Sequence, residues 1–201
     1  LPNKVLKKIN DKAIIEILLE RLSHSNKIDK IILATSNNPK DDKLADYVAN
    51  LKFDVFRGSE DDVLSRYYYA AKNYQPDAVM RITGDCPLID ADVVDEVIET
   101  FFNSNVDYVC NFDPPTFPDG LDTEIFSFNA LKLAHERAVK PFDREHVTPI
   151  MRSNKEFSNK NVANPSDFSN ERWTIDEISD FIVIKNILNH FKPNLHFSWK
   201  E

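Results

Sequence analysis

Short apolar runs alternate with amphipathic stretches along most of this chain, and that alternation limits it to folds in which helices cover a sheet. Helical spacing over 13–22 is followed by a buried strand over 30–35 (Lys-Ile-Ile-Leu-Ala-Thr) and a second helix over 43–51. A strand over 53–57 comes next. Ser59 then reads as an N-cap, with Asp62 three residues on in an approximate capping box, opening a helix to about residue 73. A strand over 78–83, a helix capped by Asp90 and reaching residue 103, and a strand over 106–110 continue the rhythm. The prediction is an α/β fold, with a mainly parallel sheet and helices on both faces.

The pattern then changes. Residues 111–118 are rich in proline and asparagine, and residues 153–170 are polar without a clear period, so both read as loops rimming a site. Between them the sequence predicts a strand over 121–126 and helices over 129–139 and 142–152. A strand over 172–175 and a helix over 178–190 complete the reading. With 201 residues, 42% of them hydrophobic, one domain over 1–201 has enough material for a full core.

Charge and composition exclude several classes of function. A net charge of -8 argues against a nucleic-acid groove or an anionic membrane surface as the main partner. No apolar stretch approaches the ~18 residues needed to span a bilayer, and no signal-peptide pattern opens the sequence, so it reads as cytoplasmic. Cys86 and Cys110 are too few for a disulfide framework or a zinc site, and Cys86 has no histidine near it in sequence. Both read as buried thiols.

The three glycines mark the places to look for chemistry. A chain of this length would ordinarily carry about 14, yet here each of the three sits in a polar motif beside a strand-like run: Arg57-Gly58-Ser59-Glu60-Asp61-Asp62, Thr83-Gly84-Asp85-Cys86-Pro87 and Asp119-Gly120-Leu121-Asp122-Thr123-Glu124. Ligands of open parallel sheets bind outside the carboxyl ends of the strands, where Thr83-Gly84-Asp85 falls. A carboxylate there suits Mg²⁺, which takes one or two carboxylates plus phosphate oxygens; the same residues also make an ordinary turn stopped by Pro87. Asp176 repeats the arrangement after Trp173-Thr174-Ile175, either as a second ligand or as the N-cap of the last helix. Arg57, Gly58 and Ser59 offer a cation, a glycine and a helix start able to seat an anion. Lys4 and Lys7 could meet phosphates. Arg66 reads as surface, Tyr67-Tyr68-Tyr69 as helix packing, and His146 as structural for want of a sequence-local partner.

Taken together, the segments Leu1-Pro2-Asn3-Lys4, 56–64, 81–90, 118–124 and Trp173-Thr174-Ile175-Asp176 closely resemble the cytidylyltransferase family of spore-coat polysaccharide biosynthesis proteins, relatives of the CMP-Kdo and CMP-sialic acid synthetases. The resemblance implies a Rossmann-like, GT-A nucleotidyltransferase that joins a CMP group from CTP to a sugar and releases pyrophosphate with Mg²⁺. It implies that Asp85 and Asp176 hold the metal and that Lys4 contacts phosphates. It further implies that Arg57, Gly58, Ser59, Thr83 and Gly84 line the nucleotide pocket. Asp119, Gly120, Asp122 and Glu124 would face the sugar, with Arg144 and His146 as the nearest cations and residues 111–170 forming the sugar side. A homodimer is compatible with these relatives. The family begins with a strand and a Gly-Ser-Thr-Arg-type loop before Leu-Pro-x-Lys, whereas this sequence starts at Leu1, so the first strand is expected to be missing. Two rival classes remain: a GT-A glycosyltransferase using Asp90-Ala91-Asp92 as its metal motif, and a non-catalytic nucleotide- or sugar-binding module.

Overall fold

Asn10 and Asp11 both adopt positive φ, 51° and 70°, which suits their short polar side chains and closes a two-residue hairpin between β1 (Lys8–Ile9) and β2 (Lys12–Ala13). The computed structural model describes residues 4–201; the Leu1-Pro2-Asn3 part of the first motif lies outside the described residues. After the hairpin come α1 (Ile14–Leu22), β3 (Ile32–Ser36), α2 (Asp42–Asn50), β4 (Asp54–Gly58) and α3 (Val63–Lys72). They are followed by β5 (Ala78–Arg81), α4 (Ala91–Phe102), β6 (Tyr108–Cys110) and β7 (Glu124–Ser127). The chain ends with α5 (Phe128–Arg137), α6 (Pro141–His146), α7 (Pro149–Ser153), β8 (Asn159–Asn161) and α8 (Ile178–Phe191).

The α/β fold class holds, but the strands are mixed rather than mainly parallel. β3 and β4 pair in parallel, with Ser36 opposite Gly58 at their carboxyl ends. A second sheet runs β5-β7-β6-β8, in which β7 lies antiparallel to both neighbours while β6 and β8 are parallel. The run after Gly120 has no helix in front of it, so it can return between β5 and β6 without the crossover that parallel pairing demands.

Helical spacing buries the faces that the sequence marks. Ile15, Leu18, Leu19 and Leu22 of α1 and Val93, Val94, Val97, Ile98 and Phe101 of α4 meet in one core beneath β6 and β7. A second core gathers Tyr108, Phe126, Leu131 and Met151 under α5 and α7. Asp90 caps α4, accepting from the amides of Asp92 and Val93 and also from Trp199, so the Asp90-Ala91-Asp92 segment serves as a helix start.

Four local readings change. The cap of α3 is Asp62, which accepts from the Ser65 amide, while Ser59 accepts from the Asp62 amide one turn earlier. The helix over 142–152 is broken at buried Val147, which stands at φ 71°. Pro149 has no N–H and restricts Thr148, so it can start α7 but not continue α6. Residues 172–175 form no strand; the segment makes a single parallel bridge from Arg172 to Asp119. The loop over 153–170 contains the short β8.

Candidate active site

Two loops far apart in sequence are stitched together by backbone. Asp119 donates its amide to Glu171 and accepts from Trp173, and the Ile175 amide donates to the Asp85 carbonyl at 2.9 Å. Gly120 permits this approach. It stands at φ 113°, and a Cβ there would lie 2.7 Å from the Trp173 carbonyl carbon, closer than any side chain tolerates.

The consequence is that Asp85 and Asp176 converge on one cation. Lys4, which opens a 3-10 turn over Lys4–Leu6, donates from Nζ to Asp85 Oδ2 at 2.8 Å and to Asp176 Oδ1 at 2.9 Å. Arg172 pairs with the other Asp176 oxygen. Burial works to raise the Asp85 carboxyl, but the hydrogen bonds of Lys4 and Thr83 and the Lys4 charge outweigh it and hold the group below the usual carboxylate range. Burial likewise works to lower the Lys4 ammonium, and the two aspartates overcome it and raise it. Asp176 does not cap α8 with its side chain: Glu177 is the cap, and Asp180 accepts from the amides of Asp176 and Glu177. Among the described residues no three His, Cys, Asp or Glu side chains cluster as a metal cage.

The second glycine motif forms a wall beside the ends of β3 and β4. Arg57 donates from Nε to the Ser36 carbonyl at 2.9 Å and from Nη2 to the Asn38 carbonyl at 3.0 Å, and pairs with Asp42 at 2.7 Å. Its guanidinium thus ties the turn after β3 to β4. Arg66 is half-buried rather than free at the surface: it donates to the Ser59 carbonyl at 2.9 Å, its Nε is buried without a partner among the described residues, and burial lowers its pKa. Gly58 accommodates it, since a Cβ there would sit 3.1 Å from Arg66 Cγ. Thr83 and Gly84 form the turn before Asp85, with Thr83 Oγ1 3.1 Å from Cys86 Sγ. Burial pushes the Cys86 thiol well up, which fits a packing role.

A cavity of about 280 Å³ adjoins the Thr83 turn, lined among others by Arg81, Thr83, Asp122, Glu124, His146 and Arg152. Glu124, only 1% exposed, accepts from Arg81 at 2.6 Å and from the Tyr108 hydroxyl at 2.6 Å, so both its oxygens are engaged. Asp122 makes no hydrogen bond or ion pair among the described residues. Burial first, and then repulsion from Asp119, Glu124 and Asp85, push its carboxyl up to about 6. His146 faces the cavity beside Phe142, their ring centroids 4.4 Å apart. Arg144 is committed elsewhere, to Asp62 and to the His135 carbonyl, and Asp119 turns toward Thr174 and Arg172. The cations on the cavity wall are therefore Arg81 and Arg152, which the sequence reading passed over. Arg81 carried a signal, as the last residue of a strand running into the Thr83-Gly84-Asp85 turn; Arg152, inside a helix, carried none.

The arrangement pairs a cation-holding carboxylate couple with a polar cavity of monosaccharide size, joined at Thr83 and Asp122. The family profile of cytidylyltransferases matches residues 1–187. The spore coat polysaccharide biosynthesis protein SpsF of Bacillus subtilis is 30% identical over 193 residues, covering 92% of this chain and 79% of that one. A 3-deoxy-manno-octulosonate cytidylyltransferase of Chlamydia trachomatis is 26% identical over 164 residues, covering 74% of this chain and 61% of that one. Among solved structures, a cytidylyltransferase from Leptospira borgpetersenii superposes with a TM-score of 0.94 at 32% identity, covering all of this chain and 85% of that one. This chain belongs to the cytidylyltransferase family.

Proposed function

We propose that the protein is a Mg²⁺-dependent sugar cytidylyltransferase acting in the cytoplasm, which transfers CMP from CTP to a sugar for surface polysaccharide or glycoconjugate synthesis. The observation that carries this reading is the convergence of Asp85 and Asp176 on the Lys4 ammonium beside the cavity. Two carboxylates that already hold a positive charge between them are hard oxygen donors of the kind Mg²⁺ takes, with phosphate oxygens and water completing the shell. Held by Asp85 and Asp176, such an ion would supply positive charge to offset that of the phosphates. The rest of the chemistry is positioning.

In this reading Lys4 adds a second positive charge to the triphosphate. The turns at Arg57-Gly58-Ser59 and Thr83-Gly84 line the nucleotide. The segment 111–170 supplies the sugar side through Asp122, His146 and Arg152, with Arg81 reaching the same wall from β5. The names of SpsF and the chlamydial enzyme support a sugar acceptor and a polysaccharide role. A pyrophosphate-release assay with CTP and a panel of sugars, with and without Mg²⁺, tests it. Sugar-dependent release that chelation abolishes is the expected result. Consumption of a nucleotide-sugar donor without pyrophosphate release would point to a glycosyltransferase instead.

A further inference from the structure

We infer that Asp122 is the general base that takes the proton from the attacking sugar hydroxyl. This role rests on the cytidylyltransferase reading above. Asp122 lines the cavity together with Thr83, has no hydrogen-bond or ion-pair partner for its carboxylate among the described residues, and lies within electrostatic reach of Asp85. The neighbouring carboxylates are differently occupied. Glu124 is locked by Arg81 and Tyr108, Asp85 and Asp176 hold Lys4, and Asp119 lies by Thr174 and Arg172. Asp122 is thus the cavity carboxylate whose acceptor oxygens remain available to an incoming hydroxyl.

The step balances simply. The hydroxyl proton passes to the Asp122 carboxylate as the sugar oxygen bonds to the α-phosphorus. The bond from that phosphorus to the β-phosphate oxygen breaks, pyrophosphate carries away the electron pair, and Asp122 returns its proton to water. A useful base must be basic enough to accept the proton and still be ionised at working pH. The surroundings of Asp122 supply this. Burial first, and then Asp119 and Glu124 on its own segment and Asp85 after β5, oppose its ionisation. The positive groups nearby are Arg81, already paired with Glu124, and Arg152 on the cavity wall, which the imidazole of His146 also lines.

The test compares Asp122→Asn and Asp122→Glu with the unaltered protein, measuring pyrophosphate release against pH and CTP-induced thermal shift. The expected result is a fall of about 10²–10⁴-fold in kcat for Asp122→Asn, with CTP binding kept, no loss of melting temperature and the acid limb of the pH profile gone. Asp122→Glu should recover part of the rate together with the limb. Turnover by Asp122→Asn at the normal rate and with the normal profile overturns the role alone. Absence of CTP-dependent release by the unaltered protein with every sugar overturns the cytidylyltransferase reading and this role with it.

Discussion

The amide of Ile175 donates to the carbonyl of Asp85, and this bond between residues 90 positions apart sets two carboxylates around one ammonium. Neither side chain creates the pairing. The segment 171–175 is held by backbone bonds to Asp119 at one point and to Asp85 at another, with Gly120 leaving room for the approach, and Asp176 is simply the next residue out. The site is therefore built by backbone, and its weak points are the residues that let two backbones approach.

Gly120→Ala should accordingly be among the most damaging small substitutions in the chain. The new Cβ meets the Trp173 carbonyl carbon at 2.7 Å in a φ that alanine avoids. Strain and overpacking together cost roughly 2–4 kcal/mol. Melting temperature should fall, and the rate should fall further than the stability loss explains, because Asp176 is displaced. A variant with a normal melting temperature and normal rate would refute the stitching argument.

Lys4→Met should lower turnover on the order of 10²–10³-fold, the scale for losing one electrostatic donor. It also leaves Asp85 half-buried without its partner, a stability cost of roughly 1–3 kcal/mol. The pH dependence has a definite sign. Asp85 is depressed, so its contribution exists above the unfolded carboxylate value of about 4 and is lost as pH falls; Lys4 is raised, so its contribution is lost only as pH climbs past about 10. Denaturant melts should show the gap between variant and parent at pH 7 and see it shrink in acid.

Much of this site is legible in the sequence because strand ends and glycines announce themselves. Asp85 and Asp176 follow apolar runs, and Gly120 marks a place where no Cβ fits. What stays hidden depends on tertiary direction. Nothing local says that β7 runs antiparallel between β5 and β6, which is what lays Glu124 against Arg81 and Tyr108. Nothing in the 142–152 pattern sends Arg144 to Asp62 and Arg152 to the cavity; that follows from the break at Val147, for which Pro149 was the available sign. Asp176 reads equally well as a cap or as a ligand, because both ask for the same residue type; the Glu177 and Asp180 pair takes the capping role from it.

Asp122→Asn should stabilise the protein at neutral pH even as it removes activity. The folded carboxyl sits at about 6, above its unfolded value near 4, so ionising it opposes folding once pH exceeds both. The gain is up to roughly 2–3 kcal/mol at pH 7–8 and should disappear below pH 4, where the carboxyl is protonated in both states. Paired melts at pH 4 and 8 check this. Equal stabilities at pH 8 would mean that the charge is relieved by solvent.

Arg21→Met tests how the carboxyl-terminal segment is held. The buried guanidinium donates to the carbonyls of Ile89 at 2.9 Å, Leu88 at 3.3 Å and Phe197 at 3.2 Å, and also to Leu195. Methionine fills the volume but leaves these acceptors dry, each costing about 1–3 kcal/mol if no water enters. The expected outcome is a loss of several kcal/mol and faster proteolysis after residue 191. Intact protease resistance would show that Phe197 packing alone is enough.

The last expectation concerns a sugar that carries its own carboxylate. Such a substrate must bring negative charge to a wall already holding Asp122, so it needs a cation with spare donors. Arg144 cannot serve without breaking its contacts to Asp62 and the His135 carbonyl. Arg81 spends one amino group on Glu124. Arg152 has only a loose pair with Asp113 at 3.7 Å and lies over the Phe112 ring, 5.5 Å from its centroid, with its guanidinium on the cavity wall. Arg152→Ala should therefore raise KM for Kdo or sialic acid by about 10–100-fold, the worth of one charge-assisted hydrogen bond, while leaving KM for CTP unchanged. Arg144→Ala should instead lower melting temperature through the loss of the contact between α6 and the start of α3. Steady-state kinetics beside thermal melts separate the two, and an acid-sugar KM raised by Arg144→Ala in a protein of normal stability would reverse the assignment.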